Sequence, residues 1–120
     1  MIDEMMTVLA ENGNDVDGVM KRFMNMKKMY QKYLLKYLSD PCFDDLTKAL
    51  QEANIEDAFR ASHTLKGVAS NLGLTKLYDA DVVIVEKLRK QITEGISEDY
   101  EVLAKEHKQI IEWIHQYLED

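Results

Sequence analysis

The sequence predicts an all-α chain folded as an antiparallel four-helix bundle, up-down-up-down, with short N-terminal helices capping one end. Three observations predict it. Apolar residues recur at steps of three and four over several helix-length segments, and none alternates with the two-residue period of a strand. The connections between the last four long segments are short, so successive helices should be antiparallel neighbours. One proline and five glycines argue against a turn-rich β chain and against disorder. With 120 residues, 46% of them apolar, the chain suits one domain over 1–120 with one core. Capping helices are expected in 1–24 and the bundle in 25–120.

Each element has its own signals. Ile2 to Glu11 can form a short helix with Met5, Met6, Leu9 and Ala10 inward, broken by the Asn and Gly of Glu11 to Asp15. Asp15 is placed to cap a second short helix, Val16 to Phe23. Asn25 can cap the next, whose stripe is Met26, Met29, Tyr30, Tyr33, Leu34, Tyr37 and Leu38, with lysines 27, 28, 32 and 36 outside. The methionines, most of them in the first third, read as adaptable core filler. Ser39-Asp40-Pro41 stops that helix, and Pro41 suits a helix start. Phe43, Leu46, Leu50 and Ala53 give an inward face that ends at Asn54. A central helix runs from about Ile55 to Leu72, with Gly73 as its C-terminal cap. Leu74 or Thr75 opens the next, with Leu74, Leu77, Ile84, Val85, Leu88 and Ile92 inward and Gly95 ending it. Ser97 can cap the last helix, with Glu98 and Asp99 in its first turn. Its seam is Tyr100, Leu103, His107, Ile110, Ile114 and Tyr117.

Charge and cysteine content exclude several functions. A formal net charge of -7 disfavours nucleic acid as a partner. The single cysteine, Cys42, permits no internal disulfide and no cysteine zinc site. No apolar run approaches the roughly 20 residues of a membrane span, and the acidic N-terminus lacks the basic start of a signal peptide. A cytoplasmic monomer is expected.

The informative stretch is Ala58 to Gly73. Ile55, Ala58, Ser62, Leu65, Ala69 and Leu72 form one narrow seam. At roughly 100° per residue, His63 lies about 130° and Gly67 about 170° from its middle. Lys66 sits nearer the seam's edge, on the side of His63. A glycine inside a helix costs about 1 kcal/mol relative to alanine. On an outward face no packing within the bundle requires it, so something bulky must approach beside His63. From Ala58 to Tyr78 there are three cations, Arg60, Lys66 and Lys76, and no acid. Such a surface suits an anionic partner site.

The residues His63-Thr64-Leu65-Lys66-Gly67, with Gly73 six positions after Gly67, resemble the signature of histidine-containing phosphotransfer (HPt) domains. The flanking AFRAS and NLGLTKL are similar as well, and the resemblance extends from about Asp15 to the C-terminus. It implies a phosphorelay intermediate of two-component signalling, with His63 as phosphoryl acceptor and Lys66 as the cation near the phosphoryl group. Gly67 would be the small residue that lets a receiver domain dock. Response-regulator receiver domains and a hybrid histidine kinase would be the partners. The receiver would bring Mg2+ and the acidic residues, so no cofactor or metal is expected in this chain, and no kinase activity.

The chemistry of the residues agrees. A neutral imidazole is a nucleophile, and histidine's reference pKa of about 6.5 leaves most such rings neutral in a cell. Phosphoryl transfer needs chiefly positioning and charge neutralisation. Ser70 lies on the side of His63 and could touch the phosphoryl group or simply keep the interface small. Phe59, one turn before His63, either packs on a neighbouring helix or forms an apolar docking rim.

Other candidates read as structural. His107 falls on a seam and should be a satisfied core histidine. Glu112 and His115 form one Glu-x-x-His where a di-iron bundle needs two. Asp81 falls on an inward face among Leu77, Ile84 and Leu88, and needs a partner if buried. Three rival readings stand beside the phosphocarrier: the phosphoacceptor domain of a chemotaxis-type histidine kinase, a helical scaffold without chemistry, and a metal-binding bundle. A chain that starts at Met1 and ends just after one bundle favours a free-standing protein over the first.

Overall fold

In a computed structural model, which describes residues 1–119, the chain forms seven helices and no strand among those residues. They are α1 (Ile2–Glu11), α2 (Val16–Arg22), α3 (Lys27–Tyr37), α4 (Cys42–Gln51), α5 (Ile55–Asn71), α6 (Thr75–Arg89) and α7 (Ile96–Leu118). Asp120, the last residue of the expected domain, lies outside the described residues. The protein is a helical bundle. Helix α5 packs between α4 and α6, α7 packs on α6, and α1 and α3 lie against α7. The core draws on all seven helices, with Met5, Tyr30, Leu46, Leu65, Ile84 and Ile110 among its largest fully buried or nearly buried side chains. Each side chain of this size contributes about 1.5–3 kcal/mol by burial.

The cap and turn signals explain where helices begin and end. The Asp15 carboxylate accepts the Gly18 N–H at 3.0 Å and starts α2. Asn54 caps α5 by accepting the Asp57 N–H at 3.1 Å. At the end of α5, Gly73 takes φ +67°, and the Leu74 N–H returns to the Ala69 carbonyl at 2.9 Å, a Schellman closure. The N-terminal segment is bound to this turn. The Asp15 N–H donates to the Gly73 carbonyl and to Thr75 Oγ1, and the Lys76 N–H donates to Asn14 Oδ1. Tyr30 adds its hydroxyl to the Leu72 carbonyl at 2.8 Å.

Several expectations need correction. Ala10 is exposed. Asn25 does not cap α3: it sits at φ +60°, and its N–H closes α2 on the Met20 carbonyl at 2.8 Å. On α3 only Tyr30, Leu34 and Tyr37 are buried, while Met26, Met29 and Tyr33 are exposed. Pro41 is the N-cap of α4 rather than its first residue, and Ala53 lies beyond that helix in a left-handed, exposed conformation. Cys42 and Ala49 take the inward places beside Leu46. Helix α6 stops at Arg89, so Ile92 falls outside it and is exposed. Gly95, at φ +73°, opens α7 instead of ending α6, and Ser97 lies inside α7. Asp99 is held by Lys87 of α6 at 2.5 Å, which fixes this junction from the side.

Candidate functional site

Helix α5 carries the candidate residues because of its two faces. Ala58, Ser62, Leu65 and Ala69 are buried on one side, and Leu72 follows at the cap. The register that buries them turns His63, Gly67 and Ser70 to solvent and leaves Lys66 and Phe59 half-buried at the edge. His63 and Phe59 are neighbours across one turn, with ring centroids 5.8 Å apart. Phe59 packs against the core, and the Arg89 guanidinium of α6 lies 5.2 Å from its ring centroid, which is the first of its two alternatives. A Cβ built on Gly67 would meet nothing within 4 Å, so the bundle itself gives no reason for glycine there. The Ser70 side chain makes no hydrogen bond among the described residues, while its carbonyl accepts from Arg22 Nη2 at 2.6 Å.

The three histidines differ sharply. His107 stacks on Phe43 with centroids 3.9 Å apart, and its Nδ1 meets the Tyr37 hydroxyl at 2.6 Å. Burial pushes its pKa below the usual range, partly opposed by Asp44 and Asp40. His115 faces outward and pairs with Glu119. Among the described residues only the His63 ring is exposed without a hydrogen bond or ion pair.

The electrostatics around α5 differ from the expectation at one point. Arg60 is not a free cation, because Glu56 and Asp57, one turn before it and just outside the acid-free stretch, both pair with it. Lys66 makes no ion pair among the described residues. Beneath it, Asp81 of α6 is fully buried with neither carboxylate oxygen hydrogen-bonded. Burial pushes this acid up to about 8, with Lys66 opposing the shift. The described residues contain no group of three or more His, Cys, Asp or Glu side chains arranged to hold a metal ion. No described helix is long and apolar enough to cross a membrane.

Two features escaped the sequence reading. Arg22 and Arg89 reach the α5 face from α2 and α6, and nothing local in sequence announces such contacts. A third signal was present. From Gly18 to Ser39 the chain has Lys21, Arg22, Lys27, Lys28, Lys32 and Lys36 and no acid. All six cations are exposed, Lys27 pairs with Asp3 of α1, and Arg22 and Lys36 line a groove together with Phe23, Met29, Tyr33, Asp40 and Val68. Val68, next to Gly67 in the chain, and Asn71 line this groove from α5.

An exposed, unengaged histidine beside a glycine on the middle helix of a bundle defines a class of protein. The model of the Hpt domain matches residues 38–113, more than half of the chain, and the chain belongs to the Hpt domain family. Membership implies histidine phosphotransfer in phosphorelay, two-component signalling, by modules that carry phosphoryl groups and interact with receiver domains and kinases. Neither the comparison with curated proteins nor that with solved structures gives a significant match.

Proposed function

We propose that the chain is a phosphorelay intermediate that carries a phosphoryl group on His63 between the aspartates of receiver domains. A lone pair of the neutral ring attacks phosphorus. The N–P bond forms as the partner's acyl O–P bond breaks, and the partner's aspartate leaves as a carboxylate. Return of the group to a second receiver is the reverse step. Lys66 supplies positive charge to the phosphoryl oxygens, and Gly67 leaves room for the partner to bring its aspartate to the ring. Ser70 and Phe59 border the docking surface. The partner holds Mg2+, and a hybrid histidine kinase feeds the relay. The chain works as a single domain and a cytoplasmic monomer without kinase activity of its own.

The observation that carries this reading is the His63 ring, exposed and unengaged where the other two histidines are bonded. The exposed cations between Lys21 and Lys36 on α2 and α3 favour an anionic protein partner. The finer fold reading, an up-down-up-down arrangement of α4 to α7, is supported by cross-contacts between ends of neighbouring helices. Arg89 near the end of α6 covers Phe59 near the start of α5, and Lys87 near the end of α6 pairs with Asp99 near the start of α7.

The test is labelling from a phosphorylated receiver. Wild type should gain acid-labile, base-stable phosphate. His63→Gln should gain none, while its unfolding free energy stays within about 0.5 kcal/mol of wild type, as expected for an exposed site without special contacts. Label that persists on another histidine of the variant would refute the assignment.

A further inference from the structure

Asp81 is the only carboxyl side chain buried among the described residues, and the carrier function has no use for it so far. Neither oxygen has a hydrogen-bond partner. Leaving a buried polar group unpaired costs about 1–3 kcal/mol. The fold does not ask for an acid here, since Leu77, Ile84, Val85 and Leu88 fill the same face of α6 with apolar side chains.

Its position gives it a role. The chain reverses at Gly73, and Arg89 lies over Phe59, so the two helices run past each other with Phe59 level with Arg89. Lys66, seven residues after Phe59, is then level with Val82, seven before Arg89, and beside Asp81. Lys66 is half-buried at this seam and bonded to no acid among the described residues. Its charge acts on Asp81. The other ionisable groups near the acid are Tyr37 from α3 and Cys42 from α4, which burial keeps protonated. From α7, His107 is turned to Tyr37 and pushed toward its neutral form. None of them offers Asp81 a cation.

We propose that Asp81 is a positioning residue for Lys66: the ionised carboxylate draws the ammonium group into the α5–α6 seam, and the neutral acid leaves it to the phosphoryl group on His63. This rests on the phosphocarrier reading. Asp81 makes and breaks no bond to phosphorus, and on ionisation its proton goes to solvent. Because one cation serves two anions, the coupling is reciprocal. A phosphoryl group that holds Lys66 outward should also make Asp81 harder to ionise. Burial keeps the acid neutral up to about pH 8, so Lys66 is free for transfer at neutral pH and withdrawn above it.

The experiment uses the full chain and phosphoramidate as phosphoryl donor, from about pH 6.5 to about pH 9.5, a range that brackets the ionisation of Asp81. The labelling rate of wild type is divided by that of Asp81→Asn at each pH, which cancels the titration of the donor. The ratio should be constant on the acid side. Above about pH 8 it should fall, approaching tenfold per pH unit, until wild type labels no faster than Lys66→Ala. A ratio that stays flat while His63 is labelled overturns the proposal. If Asp81→Asn does not fold, the carboxyl carbon of Asp81 is followed by NMR in wild type and Lys66→Ala. Its titration midpoint should be higher in Lys66→Ala, and an unchanged midpoint overturns the proposal equally. A wild-type chain that takes no label on His63 from phosphoramidate or from a phosphorylated receiver overturns the carrier reading and this proposal together, whereas a flat ratio on a labelled chain overturns this proposal alone.

Discussion

Gly67 and Gly73 are six residues apart, one inside α5 and one just past its end. At Gly73 the backbone sits at φ +67°, and an added Cβ would lie 2.8 Å from the Asp15 carbonyl oxygen and 2.9 Å from Val19. At Gly67 the backbone is ordinary helix and an added Cβ would touch nothing within 4 Å. The fold explains the first glycine completely: the helix must end there, and the capping segment is packed directly on the turn. It explains nothing about the second, which weakens its helix with no return in packing. A feature that the folded chain does not need points outside the chain, and on the proposed function that is a partner closing on His63.

The comparison can be attacked first at Gly73. Gly73→Ala should destabilise the protein by roughly 2–4 kcal/mol, combining a left-handed backbone disfavoured for side-chain-bearing residues with displacement of the Asp15 segment. Urea unfolding measures this directly. A loss under about 1 kcal/mol would mean that the turn is less constrained than its geometry indicates.

Asp81 sharpens the same contrast, because it too is a feature that stability does not require. Its folded pKa, about 8, is raised above its ordinary value of 3.8 by burial. The unfolded chain therefore releases this proton first as pH rises. Stability from this group is fully present below about pH 4, declines between about pH 4 and about pH 8, and then levels off when the folded protein ionises too. Wild-type unfolding free energy, measured against Asp81→Asn, should follow that decline. A difference that does not vary over this window would show that Asp81 is hydrated or paired in solution.

The smallest of these effects belongs to Gly67. Gly67→Ala should raise stability by up to about 1 kcal/mol, because alanine is the better helix former and no neighbour objects. Thermal unfolding with matched denaturant curves reports the sign. Destabilisation would mean that α5 is turned differently and that this face is packed.

How much of this was legible in the sequence depended on how local the cause was. The seam of α5 has five buried positions from Ala58 to Leu72 at helical spacing, and periodicity alone orients His63 outward. The caps at Asp15 and Gly73 are short-range chemistry and were equally readable. Helix α3 misled, because an apolar stripe reads as core wherever it occurs, and instead Met29 and Tyr33 are left on an open groove and Met26 is exposed at the N-cap. The boundaries around Gln91 and Gly95 misled because a non-glycine residue, Gln91 at φ +59°, already turns the chain before the glycine. Arg22 reaching the Ser70 carbonyl joins positions 48 residues apart, which no local pattern encodes. Burial of Asp81 was legible as a position, but the proximity of Lys66 required the register of two helices.

The central claim is that the open face of α5 is kept clear for a partner domain to reach His63, and Gly67→Gln tests it most directly. A long side chain at 67 leans back along the helix toward residue 63 while pointing into solvent. The measurement is the rate of His63 labelling from a phosphorylated receiver, set beside labelling by phosphoramidate and thermal unfolding of the same variant. The account predicts a folded protein that phosphoramidate still labels and that receives from the receiver at least about tenfold more slowly, since blocked approach removes the near-attack geometry. Wild-type transfer from the receiver by a folded Gly67→Gln variant would contradict it.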